Sequence, residues 1–413
     1  MTDYYDALET RDPELREREQ FAALRKQIAN AQSHAPYFAR LLAGVDPAAI
    51  ANRAALATLP VTRKSDLTEL QAQAPPFAGM LAQPRAKLAR VFMSPGPVFD
   101  PQGRAPDSWR MARALYAAGF RAGELVHNTF SYHFTPAGFM VDEGAQAIGC
   151  AVFPGGVGQT EMQVAAIAAL KPHGYVGTPS FLRLILEKAE ELAANLTSLK
   201  KALVSAEALP PSLREWFQGR GVATLQCYAI ADLGLVAYES PAREGMIVDE
   251  GVIIEIVRPG TGEAVAEGEI GEVLVTTLTP EYPLIRFATG DLSAALPGPS
   301  PCGRTNMRIK GWLGRADQTA KVKGMFVKPA QIAEVARRQP AIARYRLVID
   351  HDEKKTDRMT LHCELTAQAD AALAQAISTS LREVCNLRGE TKFVPPGTLP
   401  NDGKVIEDMR KYD

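Results

Sequence analysis

The sequence lacks the features that mark membrane and secreted proteins. Its longest apolar stretches, such as 164–170, fall far short of the roughly 20 residues that a membrane-spanning helix needs. The first 14 residues are acidic and polar, whereas a signal peptide is basic and then apolar. We therefore expect a cytoplasmic protein that does not enter a membrane.

Cysteine is also scarce, with five residues at wide spacing and no CxxC pair. An odd number without paired spacing argues against a disulfide framework and against a four-thiolate zinc site. Cys302 alone lies in a turn-like context, Ser-Pro-Cys-Gly-Arg. We expect all five to be reduced thiols without a catalytic role.

Net charge is nearly absent, because 46 Lys and Arg residues balance 47 Asp and Glu residues. This balance gives no reason to expect binding to nucleic acid. Hydrophobic residues make up 46% of the chain, which is ample for a packed core. The length of 413 residues predicts two or three folding units.

Periodicity predicts the layout of the first part of the chain. Apolar spacing over 14–42 indicates an amphipathic helix that continues past Pro36, and Ser65 is expected to cap the next helix. Short apolar runs then alternate with helical patterns, as in an α/β sheet with crossover helices. The expected strands are 125–130, 151–154 and 175–177, and the expected helices are 108–120 and 159–170.

A different pattern follows in the second part of the chain. Paired β runs joined by turn residues, at 251–257 and 271–278, predict a small antiparallel, barrel-like region. After Trp312 the pattern becomes a short α+β arrangement, which we place in a separate domain. Its expected helices are 329–338 and 369–385, and its expected strands are 345–350 and 359–365.

Three motifs carry possible chemistry. In Thr-Gly-Asp-Leu at 289–292, the carboxylate of Asp291 follows a glycine turn and could accept two hydrogen bonds from a ribose diol. Taken alone, this motif is more often an ordinary turn. It is followed by Gly-Arg-Ala-Asp-Gln-Thr-Ala-Lys-Val-Lys-Gly at 314–324 and by Pro-Gly-Thr-Leu-Pro-Asn-Asp-Gly-Lys at 396–404.

Together the three motifs resemble the adenylate-forming superfamily of acyl-CoA synthetases, most closely its phenylacetate-CoA ligase-like branch. Segments 59–67, 205–208 and 283–286 match that branch in the same order, and 276–291 is the most specific stretch. The resemblance covers nearly the whole chain. It implies a mixed α/β fold, with a large N-terminal AMP- and acyl-binding domain at 1–314, including the barrel-like part, and a small, mobile α+β lid domain at 315–413.

The resemblance also implies a reaction. A carboxylic acid, with an aromatic acid favoured, attacks the α-phosphate of ATP to form an acyl-adenylate, and the thiol of coenzyme A then attacks the acyl carbon. This chemistry needs positive charge, Mg²⁺ on the phosphates and a platform for the adenosine. Lys404 matches the mobile lysine that bridges the carboxylate and the α-phosphate.

The resemblance assigns the remaining site residues by position. Tyr228 would stack on adenine. Asp232 stands where the family has Glu, one methylene shorter, so its contact with the metal could be direct, bridged by water or lost. The implied nucleotide-binding residues are Ser94, Gly96, Ser205, Ala206, Glu207, Ala208, Tyr228, Asp291 and Arg315. The implied acyl-site residues are Phe130, Tyr132, His133, Phe134 and Gly155, and the implied hinge and coenzyme A residues are Asp317, Lys323 and Gly324.

The phosphate loop departs from the family pattern. Segment 93–103 contains three prolines, which lack N–H donors, and Asp100 adds a negative charge. Ser94, Gly96 and Gly103 remain as candidate contacts for the phosphates. Either the phosphates are held differently or activation by ATP is impaired.

Three functions follow from these observations. The leading one is an acyl- or aryl-CoA ligase that acts on a small carboxylic acid. The second is a catalytically attenuated relative that binds a nucleotide, an acyl-adenylate or an acyl-CoA. The third is an adenylating enzyme with an acyl acceptor other than coenzyme A. Because members of the branch commonly form homodimers, a homodimer is a further expectation.

Overall fold

The computed structural model divides the chain into two compact units, Met1–Leu313 and Gly314–Asp413, which are described separately. The residues that it describes are 4–94, 97–316, 318, 320–352, 356–366, 369–400 and 405–410.

The helices of the first unit are mostly short. Their bounds are α1 Pro13–His34, α2 Pro36–Leu41, α3 Arg53–Ala57, α4 Leu67–Gln73, α5 Met111–Ala117, α6 Ala137–Ala147, α7 Thr160–Leu170, α8 Pro179–Glu191 and α9 Pro211–Gly219. Its strands are β1 Thr62–Arg63, β2 Arg90–Ser94, β3 Val98–Gln102, β4 Leu125–Asn128, β5 Ala151–Pro154, β6 Gly174–Gly177, β7 Lys201–Val204, β8 Ala223–Ile230, β9 Gly234–Glu239, β10 Met246–Val248, β11 Val252–Val257, β12 Gly271–Thr277, β13 Phe287–Ser293, β14 Ala295–Leu296 and β15 Arg308–Ile309.

A nine-stranded sheet dominates the first unit, in the order β14-β15-β10-β9-β8-β7-β6-β4-β5. Strands β4 to β8 are parallel, and the strands on the other side of β8 are antiparallel. Helices α6 to α9 connect the parallel strands, as the alternating pattern predicted. The mixed α/β class is thereby confirmed.

The predicted barrel-like region is a four-stranded sheet in the order β1-β13-β12-β11. Its neighbours are antiparallel except for β1, which runs parallel to β13. Arg286, in the most specific stretch of the resemblance, is buried and directly precedes β13. Its guanidinium donates to the carbonyl oxygens of Leu59 at 2.5 Å and Gly262 at 2.7 Å. Arg286 therefore ties the loop before β1 to the sheet.

Two local predictions in the first unit are wrong. The N-terminal helix stops at His34 and a separate helix begins at Pro36, because the residue before a proline is disfavoured in the helical conformation. Ser65 does not cap α4. It lies in a 3₁₀ turn, and its hydroxyl donates to the neighbouring carboxylate of Asp66.

The second unit has the predicted α+β composition. Its strands are β16 Ala320–Val322, β17 Met325–Val327, β18 Ile342–His351, β19 Asp357–Leu365, β20 Glu390–Phe393 and β21 Ile406–Asp408, and its helices are α10 Pro329–Arg337 and α11 Ala371–Cys385. Four strands form a sheet in the order β20-β19-β18-β21, and residues of both helices share its hydrophobic core. All five cysteines of the chain are free.

Candidate functional site

The parallel strands bring the predicted site residues of the first unit to one edge of the sheet. Parallel strands end on the same side, and ligands of such sheets bind outside these carboxyl ends. Phe130 follows β4, Gly155 follows β5, Ser205 follows β7, and Tyr228 lies near the end of β8. Two predicted acyl residues, Phe130 and Gly155, therefore lie at the ends of β4 and β5, and two predicted nucleotide residues, Ser205 and Tyr228, lie at the ends of β7 and β8.

Tyr228 and Asp291 are in direct contact. The Tyr228 hydroxyl donates to Asp291 Oδ2 at 2.7 Å, and the indole of Trp312 donates to Asp291 Oδ1 at 3.1 Å. The hydroxyl of Thr289 accepts a hydrogen bond from the backbone N–H of Asp291, which fixes the turn. Two predicted nucleotide residues are thus brought together across β8 and β13, and Trp312 is a neighbour that sequence reasoning missed.

The residues after β7 lie beside this pair. Ser205 is buried, and its hydroxyl donates to the Cys227 carbonyl at 2.8 Å, next to Tyr228. Ala206 has a φ of +69°, which is uncommon for a residue with a side chain. Glu207 points elsewhere, because its carboxylate accepts from the backbone N–H of Ser180 at the start of α8.

A charged cluster includes Asp232, which lies two residues after the end of β8. The ammonium of Lys64 lies 2.5 Å from Asp232 Oδ2; the Asp232 side chain is 1% exposed and that of Lys64 is 32% exposed. The carboxyl group of Asp100 lies against that of Asp232, and Ser94 donates a hydrogen bond to Asp100. Burial, and then the negative charge of Asp232, raise the pKa of Asp100 well above its usual range.

Lys64 supplies the positive charge of this cluster. Burial of the ammonium lowers its pKa, but the attraction of Asp232 outweighs this effect and leaves the pKa of Lys64 raised. Lys64 belongs to a segment that matches the branch, yet nothing in the sequence pattern placed it beside Asp232.

One oxygen of Asp232 is not used by Lys64. This Oδ1 atom is buried and, like Oδ1 of the adjacent Asp100 carboxyl, accepts no hydrogen bond from an N–H or hydroxyl donor among the residues that the structure describes. Mg²⁺ in nucleotide sites is commonly held by one or two carboxylates together with phosphates. The shorter side chain of Asp232 therefore still fits the role of a single carboxylate ligand.

Removing the charge of Lys64 should destabilise the first unit. In Lys64→Met the buried carboxylate of Asp232 loses its counter-ion, so we expect the free energy of unfolding to fall by about 1–3 kcal/mol. Adding Asp232→Asn should restore part of the loss, since a neutral amide needs no counter-ion. Urea unfolding measures both effects. Lys188→Met, which removes an exposed helical pair with Glu191, is the control. A loss no greater than the control's would contradict this role of Lys64.

The phosphate-loop segment is flanked by two antiparallel strands, β2 and β3, which form a hairpin. Their paired residues run from Arg90 with Gln102 to Ser94 with Val98. Of the three residues between them in the sequence, two are proline and only Gly96 carries a backbone N–H. The sequence between the strands is therefore poor in donors.

The predicted acyl segment lies against this hairpin. The backbone N–H of Met93 donates to the Phe134 carbonyl at 2.9 Å. Phe134 is 72% exposed, beside a hollow of about 210 Å³ that Val91, Phe92, Met93 and Phe99 also line. His133 is exposed as well. Both side chains therefore lie at the surface of this unit.

Tyr132 and Phe130 are held from the end of β4. The side-chain amide of Asn128 donates to the Tyr132 hydroxyl at 2.8 Å, and its oxygen accepts from the backbone N–H of Phe130 at 3.1 Å. The ring of Tyr132 packs edge-on against Phe139, with the ring centres 5.2 Å apart. Asn128 is fully buried and was missed as a site residue.

Gly155 is packed against two buried polar residues. A Cβ atom there would come within 2.5 Å of Gln163 Oε1 and 3.2 Å of His127 Nε2. His127, which stacks on Phe153, is the buried histidine of the acyl segment. Burial lowers the pKa of His127 to about 4, although its hydrogen bond to Gln163 acts in the opposite direction, so the imidazole is neutral at pH 7.

The other predicted residues belong to the second unit or lie outside the described residues. Lys323 and Gly324 form the turn between β16 and β17, with φ values of +48° and +82°. The backbone N–H of Lys323 donates to Asp357. Arg315 directly follows the first residue of this unit. The predicted residues outside the described part are Gly96, Asp317 and Lys404.

Comparison with known proteins assigns the family. A model of the family described as "AMP-binding enzyme" matches residues 131–279, and one described as "AMP-binding enzyme C-terminal domain" matches 324–409. The phenylacetate-coenzyme A ligase of Thermus thermophilus is 30% identical over 99% of this chain and 100% of its own length. The chain belongs to the adenylate-forming superfamily, in its phenylacetate-CoA ligase-like branch. The prediction of an AMP-forming acid–thiol ligase is confirmed.

Other relatives agree with this placement. The phenylacetate-coenzyme A ligase of Aromatoleum evansii is 31% identical over 85% of this chain and 82% of its own length. Crystal structures of 2-hydroxyisobutyryl-CoA ligase share the fold at 24% identity. The match to the thioesterification-state complex with 2-HIB-AMP and CoA has a TM-score of 0.85 and covers 100% of this chain and 93% of the ligase chain. The match to a postadenylation-state complex has a TM-score of 0.74 and covers 98% of this chain and 92% of the ligase chain.

Two kinds of feature are absent from the described residues. None of the helices there is long and apolar enough to cross a membrane. In the same part of the chain, His, Cys, Asp and Glu side chains form no group of three or more that could hold a metal ion.

Proposed function

We propose that this enzyme converts an aromatic carboxylic acid to its coenzyme A thioester through an acyl-adenylate. In the first step, a carboxylate oxygen of the acid attacks the α-phosphorus of ATP, and pyrophosphate leaves. In the second step, the coenzyme A thiol attacks the acyl carbon, the proton of the thiol is lost to solvent, and AMP leaves.

The observation that carries this proposal is the arrangement along the edge of the sheet. The Tyr228–Asp291 pair lies at the end of β8, and the Tyr132 and Gly155 regions lie at the ends of β4 and β5. Strands β7 and β6 separate the two regions, so an extended acyl-adenylate fits between them. Adenine would lie at one end and the acyl group at the other.

The residues near the predicted acyl group favour an aromatic acid. Tyr132, Phe139 and Phe153 bring aromatic faces and edges to this region, and planar rings gain from such contacts beyond the apolar area that they bury. Curated relatives that span most of this chain carry the name phenylacetate-coenzyme A ligase, which supports the same preference.

The first unit would hold the nucleotide through two carboxylates. Asp291 would accept hydrogen bonds from the ribose hydroxyls, in exchange for those from Tyr228 and Trp312. Asp232 would hold Mg²⁺ through Oδ1, and the metal would offset the negative charge of the phosphates. Lys404 would bring a further positive charge to the reacting carboxylate.

The comparisons give no support to the attenuated alternative. The curated relatives are named ligases, and their names support coenzyme A as the acceptor over an unrelated one. A homodimer remains a prediction.

A panel of acids tests the proposed substrate class. With ATP, Mg²⁺ and coenzyme A present, we expect pyrophosphate release with phenylacetate and related aromatic acids. Small 2-hydroxy acids and straight-chain fatty acids should give at most about a tenth of the kcat/KM, because they lose the contacts with the aromatic rings. A preference for an aliphatic acid would contradict the aromatic assignment while leaving the ligase activity in place.

A further inference from the structure

We propose that Gln163 is a positioning residue that fixes the 155–158 loop against the acyl group of the acid. The inference rests on the proposed function, because it takes this loop as one wall of the acyl site. Gln163 lies near the start of α7, is 3% exposed, and has no assigned role in the predicted site.

The contacts of Gln163 are unusually concentrated. Its side-chain N–H₂ group lies within hydrogen-bond distance of three loop carbonyl oxygens: 3.0 Å from Gly155, 3.0 Å from Gly156 and 3.2 Å from Gly158. Its Oε1 atom lies 2.6 Å from His127 Nε2. Because the amide nitrogen faces the carbonyls, the oxygen must accept, and His127 Nε2 must carry the proton. One side chain thus links the loop to β4.

The loop consists mostly of residues with little conformational restraint of their own. Three of its four residues are glycine, and both Gly156 and Gly158 have positive φ values. Glycine backbones lose the most conformational entropy when they are ordered. A side chain that holds three of these carbonyls from inside the protein offsets that cost.

The loop that Gln163 holds is also linked to the aromatic residues of the predicted acyl site. The backbone N–H of Gly156 donates to the Asn128 carbonyl at 3.1 Å, and the Asn128 side chain donates to the Tyr132 hydroxyl. The ring of His127, held by Gln163, stacks on Phe153 with the ring centres 5.1 Å apart. Gln163 therefore positions both the loop and the aromatic rings near it, without being a catalytic residue itself.

This geometry predicts an effect on the acid that spares the nucleotide. Gln163→Leu keeps the approximate size but removes every hydrogen bond to the loop. We expect the KM for the acid to rise by about tenfold or more, whereas the KM for ATP changes by less than about twofold. Gln163→Glu should behave similarly, because a carboxylate cannot donate to the three carbonyls.

Gln32→Leu is the matched control. The Gln32 side chain also donates to two loop carbonyls, those of Leu42 at 2.9 Å and Val45 at 2.8 Å, but it does so at α1, outside the predicted site. This variant should lose stability in the same way and keep the wild-type KM for the acid. Thermal unfolding of all three variants separates lost stability from lost positioning.

Hydrogen exchange supplies a readout that needs no turnover. In Gln163→Leu, the backbone amides of Phe153 and of 155–158 should exchange faster than in the wild type, and those around Tyr228 should be unchanged. Unaltered exchange in the loop, or an equal rise in KM for acid and ATP, would overturn the positioning role. A wild-type enzyme that activates no acid would instead refute the proposed function, and the exchange result would still decide the role of Gln163.

Discussion

Lys404→Ala should abolish adenylation while sparing the transfer of a preformed acyl-adenylate to coenzyme A. The lysine would stabilise charge only while the carboxylate attacks the α-phosphate. Removing one such electrostatic contact typically slows the step by about 100-fold or more. Pyrophosphate release measures the first half-reaction, and thioester formation from a synthetic acyl-adenylate measures the second.

The segment before Lys404 begins at a fixed point of the second unit. The backbone N–H of Leu399 donates to Glu364 Oε1 at 2.7 Å, and Arg344 and Arg346 each donate to the Pro400 carbonyl at 3.2 Å. Strands β18 and β19 therefore anchor the chain four residues before the lysine.

A second variant separates the charge of Lys404 from its surroundings. Lys404→Arg keeps a positive charge but replaces a compact ammonium with a planar guanidinium, so it should recover part of the adenylation rate. Lys392→Ala, which removes a lysine from β20 of the same unit, should leave both half-reactions intact. An equal loss in both half-reactions for Lys404→Ala would show that the assigned role is wrong.

Asp291→Ala should weaken the binding of ATP and AMP by about 1.5–3 kcal/mol, the range for hydrogen bonds to a charged group. The carboxylate is held at the end of the site by Tyr228 and Trp312, so it is already oriented before a ribose arrives. This loss corresponds to a rise in Kd of about 10- to 150-fold. Calorimetric titration with AMP measures it directly.

Two comparisons make this result specific. Asp291→Asn retains an oxygen acceptor and should lose less affinity than Asp291→Ala. Asp350→Ala, which removes a partly exposed aspartate paired with Arg358 in the second unit, should leave AMP affinity unchanged. An AMP affinity of Asp291→Ala equal to that of the wild type would remove Asp291 from the nucleotide site.

The sequence predicted the fold where local pattern and tertiary packing agree. The alternation of short apolar runs with helical spacing located the strands around His127 and Tyr175, because buried parallel strands carry continuous apolar runs. The sequence prediction failed at Pro36. The apolar spacing continues through this position, but the proline disfavours a helical conformation at the residue before it, so the helix is interrupted there. The prediction also failed at Ser65, whose hydroxyl bonds to a neighbouring side chain.

The site was predictable only in part. Tyr228 and Asp291 could be identified because each lies in a motif of the family, and the structure joins them by a hydrogen bond. Lys64 and Gln163 could not be identified. The partner of Lys64, Asp232, lies 168 residues further along the chain, and Gln163 contacts His127, 36 residues away, as well as glycines five to eight residues away. No spacing in the sequence signals these contacts. Position in the fold, not residue type, gives these two side chains their significance.

The path of one oxygen atom tests the central claim most directly. If the acid attacks the α-phosphate of ATP, then an aromatic acid labelled with oxygen-18 in its carboxyl group must leave one labelled oxygen on AMP after thioester formation. Mass spectrometry of the products should therefore find AMP that carries a single oxygen-18 atom, together with unlabelled pyrophosphate. Labelled inorganic phosphate with ADP, or thioester formation with unlabelled AMP, would contradict activation through an acyl-adenylate.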